Sequence, residues 1–212
     1  MRAPLESHPR IVWRAADLPR RSFRRIVSLV PSLSEALVAL GLGDRLVGVT
    51  AYCVEPPGAF DGLPKVGGTK DADVAAIAAL RPEFVIANQE ENTARVVRGL
   101  AEAGIDVWVT YPRTVRAGAE LLCDLAGLGA PPERVAAVVD PVFAALEEAE
   151  SRRARGPARR PVRVFCAIWR DPWMTIGRDT YIYDLIELCG GANAFAEPVE
   201  GARDRRYPIV DR

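Results

Sequence analysis

The stretch RIVSLVPSLSEALVALGLGDRLVGVT, residues 25–50, contains the pattern that decides the fold. Residues 25–30 form a short apolar run typical of a buried strand, and Pro31 ends it. A helix pattern follows, and residues 46–50 form a second apolar run that predicts the next strand. A strand, a helix and a strand on short connections predict a βαβ unit, which places the strands of a parallel sheet side by side.

The helix in this stretch has recognisable start and stop signals. Ser32 and Glu35 stand three residues apart and predict a capping box, in which the Ser32 hydroxyl accepts from the Glu35 N–H while the carboxylate reaches back. Gly41 is placed to end the helix in a left-handed conformation.

The same alternation continues to residue 110 and then changes. The sequence predicts helices at 73–80 and 92–103, the second closed by Gly104, and strands at 84–87 and 106–110. These strands are continuous apolar runs, as expected when both faces of a parallel sheet are covered. Two helices without an intervening strand follow at 114–128 and 131–155, with Pro141 a candidate kink in the second. The strand run VRVFCAIW at 162–169 and a helix at 180–189 come last.

We therefore predict an α/β protein with four segments. These are an N-terminal extension (1–24), an N-terminal α/β lobe (25–113), a helical linker (114–160) and the start of a C-terminal α/β lobe (161–212). One strand and one helix cannot bury an independent core. Either the chain is a fragment with an incomplete second lobe, which we favour, or a partner covers the exposed face.

Composition argues against several classes of function. The formal net charge is zero, so no positive field attracts nucleic acid, and no stretch approaches the ~20 apolar residues of a transmembrane helix. The N-terminus shows no secretory signal. Because His8 is the only histidine, a Ser-His-Asp or Cys-His hydrolase and a His-rich metal site are not expected. We do not expect an enzyme, and we expect no resident cofactor.

The four cysteines form no C-x-x-C pair. Cys123 and Cys166 sit in apolar patterns and are predicted to be small buried hydrophobic residues. A pairing of Cys53 with Cys123 stays open.

Two loops are candidates for ligand contact. The GGTK loop at 67–70 is either a plain turn before a helix or a loop whose N–H groups, with Thr69 and Lys70, meet an anionic or carbonyl-rich ligand. The segment IWRDPWMTIG at 168–177 follows a strand, where open α/β sheets place their ligand sites. Its tryptophans either contact a ligand or plug the loop against the domain, and Arg170 is placed to pair with Asp171.

Taken together, these motifs resemble the class III solute-binding proteins of ABC importers, the helical-backbone receptors for cobalamin, haem and ferric siderophores. The motifs are RIVSLVPSLSEALVALGLGDRLVGVTAYC (25–53), KVGGTKDAD (65–73), LRPEFVIANQEEN (80–92), GIDVWVTYPRT (104–114), WRDPWMTIG (169–177) and LIELCGGANAF (185–195).

The resemblance implies two Rossmann-like lobes joined by one long helix at 131–155, with the ligand held between the lobes. That ligand can itself be a metal chelate, such as cobalamin or a ferric siderophore. Carried over by position, the ligand-binding residues would be Pro31, Ser32, Tyr52, Thr69, Lys70, Gln89, Glu90, Tyr111, Arg113, Trp169, Arg170 and Trp173. The implied partners are the small-molecule ligand and an ABC permease with its ATPase.

The sequence departs from this family in ways that affect location and partners. Family members are exported to the periplasm or cell envelope, yet this chain shows no signal peptide and would be cytoplasmic if its start is genuine. Family members often carry a permease-docking glutamate on the helix after GGTK, where this chain has Ala75. The alternatives are therefore a cytoplasmic corrinoid- or metabolite-binding domain without a permease and, less favoured, an α/β enzyme.

Overall fold

The computed structural model describes Leu5 and residues 8–18, 23–156, 160–197 and 206–210. Contacts divide the chain into two compact units. Unit one comprises Met1–Tyr111 and Leu121–Val138, and unit two comprises Pro112–Glu120 and Val139–Arg212.

Unit one is built on a five-stranded parallel sheet. Its strands are β1 (Ile11–Val12), β2 (Ile26–Ser28), β3 (Leu46–Val49), β4 (Phe84–Asn88) and β5 (Val107–Thr110). Their spatial order is β1-β5-β4-β2-β3, and every neighbouring pair is parallel. The chain passes from β2 to β3 on one side and then crosses to β4 on the other, so the topological switch point lies between β2 and β4. The predicted α/β class with a parallel sheet is confirmed.

Six α-helices connect and extend these strands. They are α1 (Pro31–Ala39), α2 (Val74–Ala79), α3 (Ala94–Glu102), α4 (Val115–Ala126), α5 (Pro132–Ala154) and α6 (Tyr181–Leu188). Side chains of Asp73, Thr93 and Thr180 cap the first turns of α2, α3 and α6. Gly41 and Gly104 follow α1 and α3 with φ of 74° and 82°, as the helix-stop signals predict. Within the described ranges, no helix is both long and apolar enough to cross a bilayer.

The predicted capping box at the start of α1 is wrong. The helix begins at Pro31, its N-cap is Val30, and no side chain caps it. Proline suits the first helical position because the missing N–H has no partner there in any helix. Ser34 rather than Ser32 turns inward, and its Oγ donates to the Val30 carbonyl at 2.9 Å.

The segment before residue 25 contributes to the sheet. Ile11 pairs with Val107 in β5, and the Val107 N–H donates to the Arg10 carbonyl at 2.8 Å. Arg10 also forms an ion pair with Asp106 at 2.8 Å. Ile11 and Val12, which belong to the predicted N-terminal extension, thus form an edge strand of unit one.

The core of unit one contains large, fully buried side chains from the central strands and the helices around them. Phe84 in β4 is completely buried, and its ring lies 4.4 Å from that of Phe23, centroid to centroid. Trp108 in β5 is 1% exposed. Burying each such side chain contributes about 1.5–3 kcal/mol to the stability of unit one.

Unit two has a small sheet and a small core. Strand β6 (Val162–Val164) pairs in parallel with β7 (Gly191–Asn193). The predicted strand at 162–169 is shorter than expected, and β7 was not predicted. The buried core cluster consists of Ala119, Leu146 and Leu188, and large apolar side chains such as Val162 stay exposed.

Helices α4 and α5 belong partly to each unit. The division falls inside α4 after residue 120 and inside α5 after residue 138. Helix α5 runs through Pro141 as one element of 23 residues. Among its apolar side chains, Val139 and Leu146 are buried, whereas Val142 is exposed.

The prediction that Cys123 and Cys166 are buried is wrong for Cys123 and is not fully met for Cys166. Cys123 is exposed and Cys166 is half-buried, whereas Cys53 is the buried thiol. Cys123 lies on the outer face of α4, although the flanking leucines made the segment look uniformly apolar. All four cysteines lie in described residues and none forms a disulfide, so the pairing of Cys53 with Cys123 is not realised.

Candidate ligand-binding site

The predicted ligand-contacting residues of unit one follow the carboxyl ends of its strands. Ser32 comes after β2, Tyr52 after β3, Glu90 after β4 and Tyr111 after β5. Pro31 and Gln89 adjoin Ser32 and Glu90. Parallel strands end at the same edge of a sheet, so the fold gathers these residues at one edge, where open α/β sheets bind ligands.

The GGTK loop, residues 67–70, is fastened beside β3. The Ala51 N–H donates to the Gly67 carbonyl at 2.9 Å, and the Asp73 N–H donates to the Val66 carbonyl at 2.8 Å. Gly67 has φ of 102°, and a Cβ there would lie 3.2 Å from the Ala72 Cα. Both the backbone conformation and the close contact therefore require glycine at position 67.

Gly68 allows the Tyr52 ring to approach the loop. A Cβ at Gly68 would lie 3.3 Å from Tyr52 Cε2, and the Gly68 N–H donates to Asp71 Oδ1 at 3.0 Å. The Tyr52 side chain is 64% exposed. A large ring thus lies open to solvent at the strand ends, whereas the Gly68 N–H is already occupied.

Lys70 ties the GGTK loop to the loop after β4. Its Nζ donates to the Glu90 carbonyl, and the Thr93 Oγ1 donates to the Lys70 carbonyl at 3.2 Å. Thr69 is half-buried, and its carbonyl accepts from the side-chain amide of Asn92 at 2.8 Å. These bonds show that several polar groups of the GGTK loop are used to connect it to the loop after β4.

Two asparagines that sequence reasoning did not single out lie among these loops. Asn92 is 5% exposed, and its side chain bonds to three backbone groups, while Asn88 bonds to the loop that follows it. For Asn92 the sequence offers one signal, an amide residue at the start of the predicted helix, which equally indicates a helix start. Asn88, directly after the predicted strand, carries no such signal.

The surface at the strand ends is rich in acid. In residues 29–35, 50–73, 89–93 and 111, the charged side chains are all exposed, and carboxylates outnumber ammonium groups. The carboxylates belong to Glu35, Glu55, Asp61, Asp71, Asp73, Glu90 and Glu91, and the ammonium groups to Lys65 and Lys70. Lys65 Nζ, like that of Lys70, donates to a backbone carbonyl, at 3.2 Å from Cys53 O. The local field therefore favours neutral or cationic groups over anions.

Unit one also contains a cavity of about 340 Å³. It is lined by Leu5, Trp13, Gln89, Asn92, Ala94, Val97 and Val109. That volume is near the lower end for small-molecule pockets, which span about 300–1,000 Å³. This cavity is therefore too small for a ligand as large as a metallated macrocycle.

Unit two presents its predicted contact residues on a tight hairpin. The Met174 N–H donates to the Trp169 carbonyl at 3.0 Å, and the Ile168 N–H donates to the Met174 carbonyl at 3.0 Å. Trp169 is 64% exposed, so it does not plug the loop, whereas Trp173 is half-buried.

The two arginines assigned to the site also belong to unit two. Arg170 and Asp171 form the predicted pair, with Nε and Oδ2 3.7 Å apart and both side chains largely exposed. Arg113 is exposed and, unlike Tyr111, belongs to unit two. Exposed ion pairs contribute little to stability, so Arg170 stays available to a ligand.

Among the residues that the structure describes, no group of three or more His, Cys, Asp or Glu side chains is placed to hold a metal ion. The site therefore offers aromatic rings, carboxylates and backbone groups to a ligand.

The chain is similar to known binding proteins in sequence and in fold. The chain is 32% identical over 180 residues to the vitamin B12-binding protein of Yersinia pestis (strain Pestoides F), covering 85% of this chain and 63% of that one. Its fold is similar to the crystal structure of the periplasmic vitamin B12-binding protein of Vibrio cholerae, with a TM-score of 0.75, 27% identity, and coverage of 90% and 71%. It is also similar to the periplasmic heme-binding protein of Roseiflexus sp. RS-1, with a TM-score of 0.69, 25% identity, and coverage of 89% and 71%.

These relatives are named as binding proteins, and the chain spans 63% of the length of the curated relatives it matches. The family model described as periplasmic binding protein matches residues 26–208, which includes all the predicted site residues and most of both units. The chain therefore belongs to the periplasmic binding protein family.

Proposed function

We propose that this chain is the solute-binding component of an ABC importer and that its ligand is a corrinoid. The observation that carries the proposal is the exposed Tyr52 ring, packed beside Gly68 on the acid-rich surface at the strand ends. Family membership supports the solute-binding role, and the named ligands of relatives support a tetrapyrrole-like molecule.

Exposed aromatic rings favour a flat, largely apolar ligand. Tyr52 in unit one and Trp169 in unit two are both 64% exposed. A rigid aromatic side chain supplies contact area at a small entropic cost, and offset stacking adds about 0.5–1.5 kcal/mol beyond the area buried. Each unit therefore offers one ring surface to a macrocycle.

The charge of the unit-one surface favours a corrinoid over a ferric tris-catecholate siderophore. The rim of a corrinoid carries neutral carboxamides, whose N–H groups donate to carboxylates such as those of Glu90 and Asp71. A ferric tris-catecholate carries three negative charges and is repelled by the same carboxylates. The exposed guanidinium of Arg170 in unit two suits the single phosphate of a cobalamin.

The residue types in the chain also limit how it could bind haem. Haem iron takes an axial ligand from His, Cys, Met or Tyr. His8, the only histidine of the chain, precedes the sheet, so Tyr52 and Tyr111 are the candidate ligands at the strand ends. A corrinoid brings its own axial base and needs no such residue, which makes the two ligands separable by experiment.

The test is titration of the protein with cyanocobalamin, hemin and ferric enterobactin, followed by calorimetry and tryptophan fluorescence. We expect cyanocobalamin to bind most tightly and Tyr52→Ala to weaken it by about tenfold. Val54→Ala is the matched control, because Val54 is 65% exposed and two residues away but carries no ring. We expect Val54→Ala to leave the affinity unchanged.

Other outcomes would overturn the proposal. Tight hemin binding with a Soret band that Tyr52→Phe shifts would assign the site to haem. Absence of binding by all three ligands at tens of micromolar would remove the solute-binding proposal for a tetrapyrrole or siderophore.

A corrinoid-binding domain without a permease is the second candidate. Ala75, exposed in the first turn of α2, offers no charge to a docking partner. Sequencing upstream of Met1 separates the two roles, because an in-frame signal peptide or lipobox would contradict the second.

A further inference from the structure

We infer that Asn92, acting with Asn88, positions the ligand-contacting loops of unit one, an inference that rests on the proposed function. Neither residue belongs to the set predicted to touch the ligand. Both lie at the carboxyl end of β4, beside the switch point between β2 and β4.

The Asn92 side chain connects three separate segments. Its Nδ2 donates to the Leu29 carbonyl at 3.2 Å, directly after β2, and to the Thr69 carbonyl at 2.8 Å, in the GGTK loop. Its Oδ1 accepts from the Asn88 N–H at 2.8 Å, at the end of β4. Both donor hydrogens and the acceptor oxygen of this amide are therefore used.

The Asn88 side chain extends the network to β5 and shapes the next turn. Its Nδ2 donates to Thr110 Oγ1 at 3.2 Å, and Thr110 Oγ1 donates to the Ala87 carbonyl at 3.1 Å. Its Oδ1 accepts from the N–H groups of Glu90 and Glu91 at 2.8 and 3.2 Å. The conformation of the turn that carries Glu90 thus depends on this amide.

Only an amide of this length satisfies the three partners of Asn92. An aspartate has no donor, and a serine has one donor on a shorter side chain. Because Asn92 is 5% exposed, water does not readily replace a lost partner, and an unsatisfied buried carbonyl is costly. The residue type is therefore dictated by the loops it joins.

The bonded atoms lie close in sequence to the predicted contact residues. Leu29 precedes Pro31 by two positions, Thr69 is itself a predicted contact, and Glu90 is held by both Asn88 and the Lys70 Nζ. A displacement of Asn92 would move the GGTK loop relative to the loop after β4. We therefore assign Asn92 a positioning role, in which it acts through residues that contact the ligand.

A purely structural role predicts a different result. If Asn92 only stabilises the fold, then any substitution with the same loss of stability changes ligand affinity equally. Leu125→Ala is the matched control, because Leu125 in α4 is completely buried in unit one and takes no part in the network.

The experiment compares Asn92→Asp, Asn92→Ala and Leu125→Ala by denaturation, cyanocobalamin affinity and amide hydrogen exchange without ligand. Asn92→Asp keeps the shape and the acceptor but loses both donors. We expect both Asn92 variants to weaken binding by about tenfold or more. We expect Leu125→Ala to lower stability and leave affinity within about twofold.

Hydrogen exchange tests the inference even without a ligand. We expect faster exchange in residues 66–73 in both Asn92 variants, and faster exchange of the Asn88 N–H only in Asn92→Ala, which lacks its acceptor. Hydrogen exchange that stays unchanged in both Asn92 variants would overturn the positioning role. Affinity losses equal to that of Leu125→Ala would overturn it as well. The wild type could bind no corrinoid while the Asn92 variants still show the expected changes in hydrogen exchange. That result would contradict the proposed ligand and support the role of Asn92 in positioning the loops.

Discussion

The two units use the same kind of strand but bury it differently. In unit one, β4 has a neighbour on each side, and Phe84, Val85, Ile86 and Ala87 are all completely buried. In unit two, the described residues give β6 one neighbouring strand, β7, and the first residue of β6, Val162, is 73% exposed. Both segments carry β-branched side chains. The number of neighbouring elements, and not the apolar character of the strand, therefore decides whether a side chain is buried.

The two units also differ in the interactions that pack their helices. Unit one relies on a large apolar core between sheet and helices. In unit two, a small apolar cluster is accompanied by polar links, including two hydrogen bonds from Arg116 in α4 to Glu150 in α5. The Val115 N–H also donates to Asp184 Oδ2 at 2.8 Å. A small core thus leaves more of the stability to polar contacts.

The largest expected effect comes from comparing phenylalanines in the two units. Phe84 is completely buried and paired with Phe23 at 4.4 Å, whereas Phe165 is 49% exposed and paired with Phe195 at 5.8 Å. Phe84→Ala should lower the free energy of unfolding by about 3–5 kcal/mol, and Phe165→Ala by less than about 1 kcal/mol. Urea denaturation followed by circular dichroism measures both. Equal losses of unfolding free energy in the two variants would contradict the difference in burial between the units.

A smaller effect is expected from comparing two strand valines, one in each unit. Val27 in β2 is completely buried, and Val162 in β6 is 73% exposed. Val27→Ala removes two buried methyl groups and should cost about 2 kcal/mol, whereas Val162→Ala should change stability by no more than about 0.5 kcal/mol. The same denaturation experiment applies. A large loss in Val162→Ala would mean that another molecule covers β6 in solution, which a concentration series would reveal.

The smallest effect concerns the ion pair of unit two. The hydrogen bond from Arg116 lowers the pKa of Glu150 below its ordinary value. The pair therefore contributes at pH values above the ordinary carboxyl range, and this contribution disappears as the pH falls through the lowered pKa. Both side chains are substantially exposed, so salt screens the interaction.

We expect Glu150→Gln to remove this part of the pH dependence of stability. An NMR titration of the Glu150 carboxyl should show a low midpoint, which rises in Arg116→Gln. A midpoint that is the same with and without Arg116 would contradict the assigned cause.

Much of unit one was predictable because local patterns and tertiary structure agree there. The apolar runs at 25–30, 46–50, 84–87 and 106–110 correspond to β2 to β5, and the glycines that end α1 and α3 are where expected. Unit two was less predictable. Strand β7, with the sequence Gly-Ala-Asn, carries no strand signal and forms only because it pairs with β6.

Predictions failed where a local rule competed with a tertiary contact. The capping box requires Ser32 to be the N-cap, but the helix starts at Pro31, two positions earlier than such a cap allows. Ser34 instead enters the buried network, where its Oγ donates to Ser28 Oγ at 2.8 Å. Cys123 was expected inside because its neighbours are apolar, yet a helix exposes one face whatever its average composition. Neither outcome follows from residue type alone.

By itself, the sequence determined the α/β class, the order along the chain of strands β2 to β6 and helices α1 to α6, and the family resemblance. These depend on local periodicity, composition and motif order, which need no knowledge of distant contacts. The tertiary structure decided which polar groups are occupied and which rings stay exposed. Hydrogen bonds such as those of Asn92 to Leu29 and Thr69 join residues that are 63 and 23 positions apart. Only the folded chain brings such groups within bonding distance.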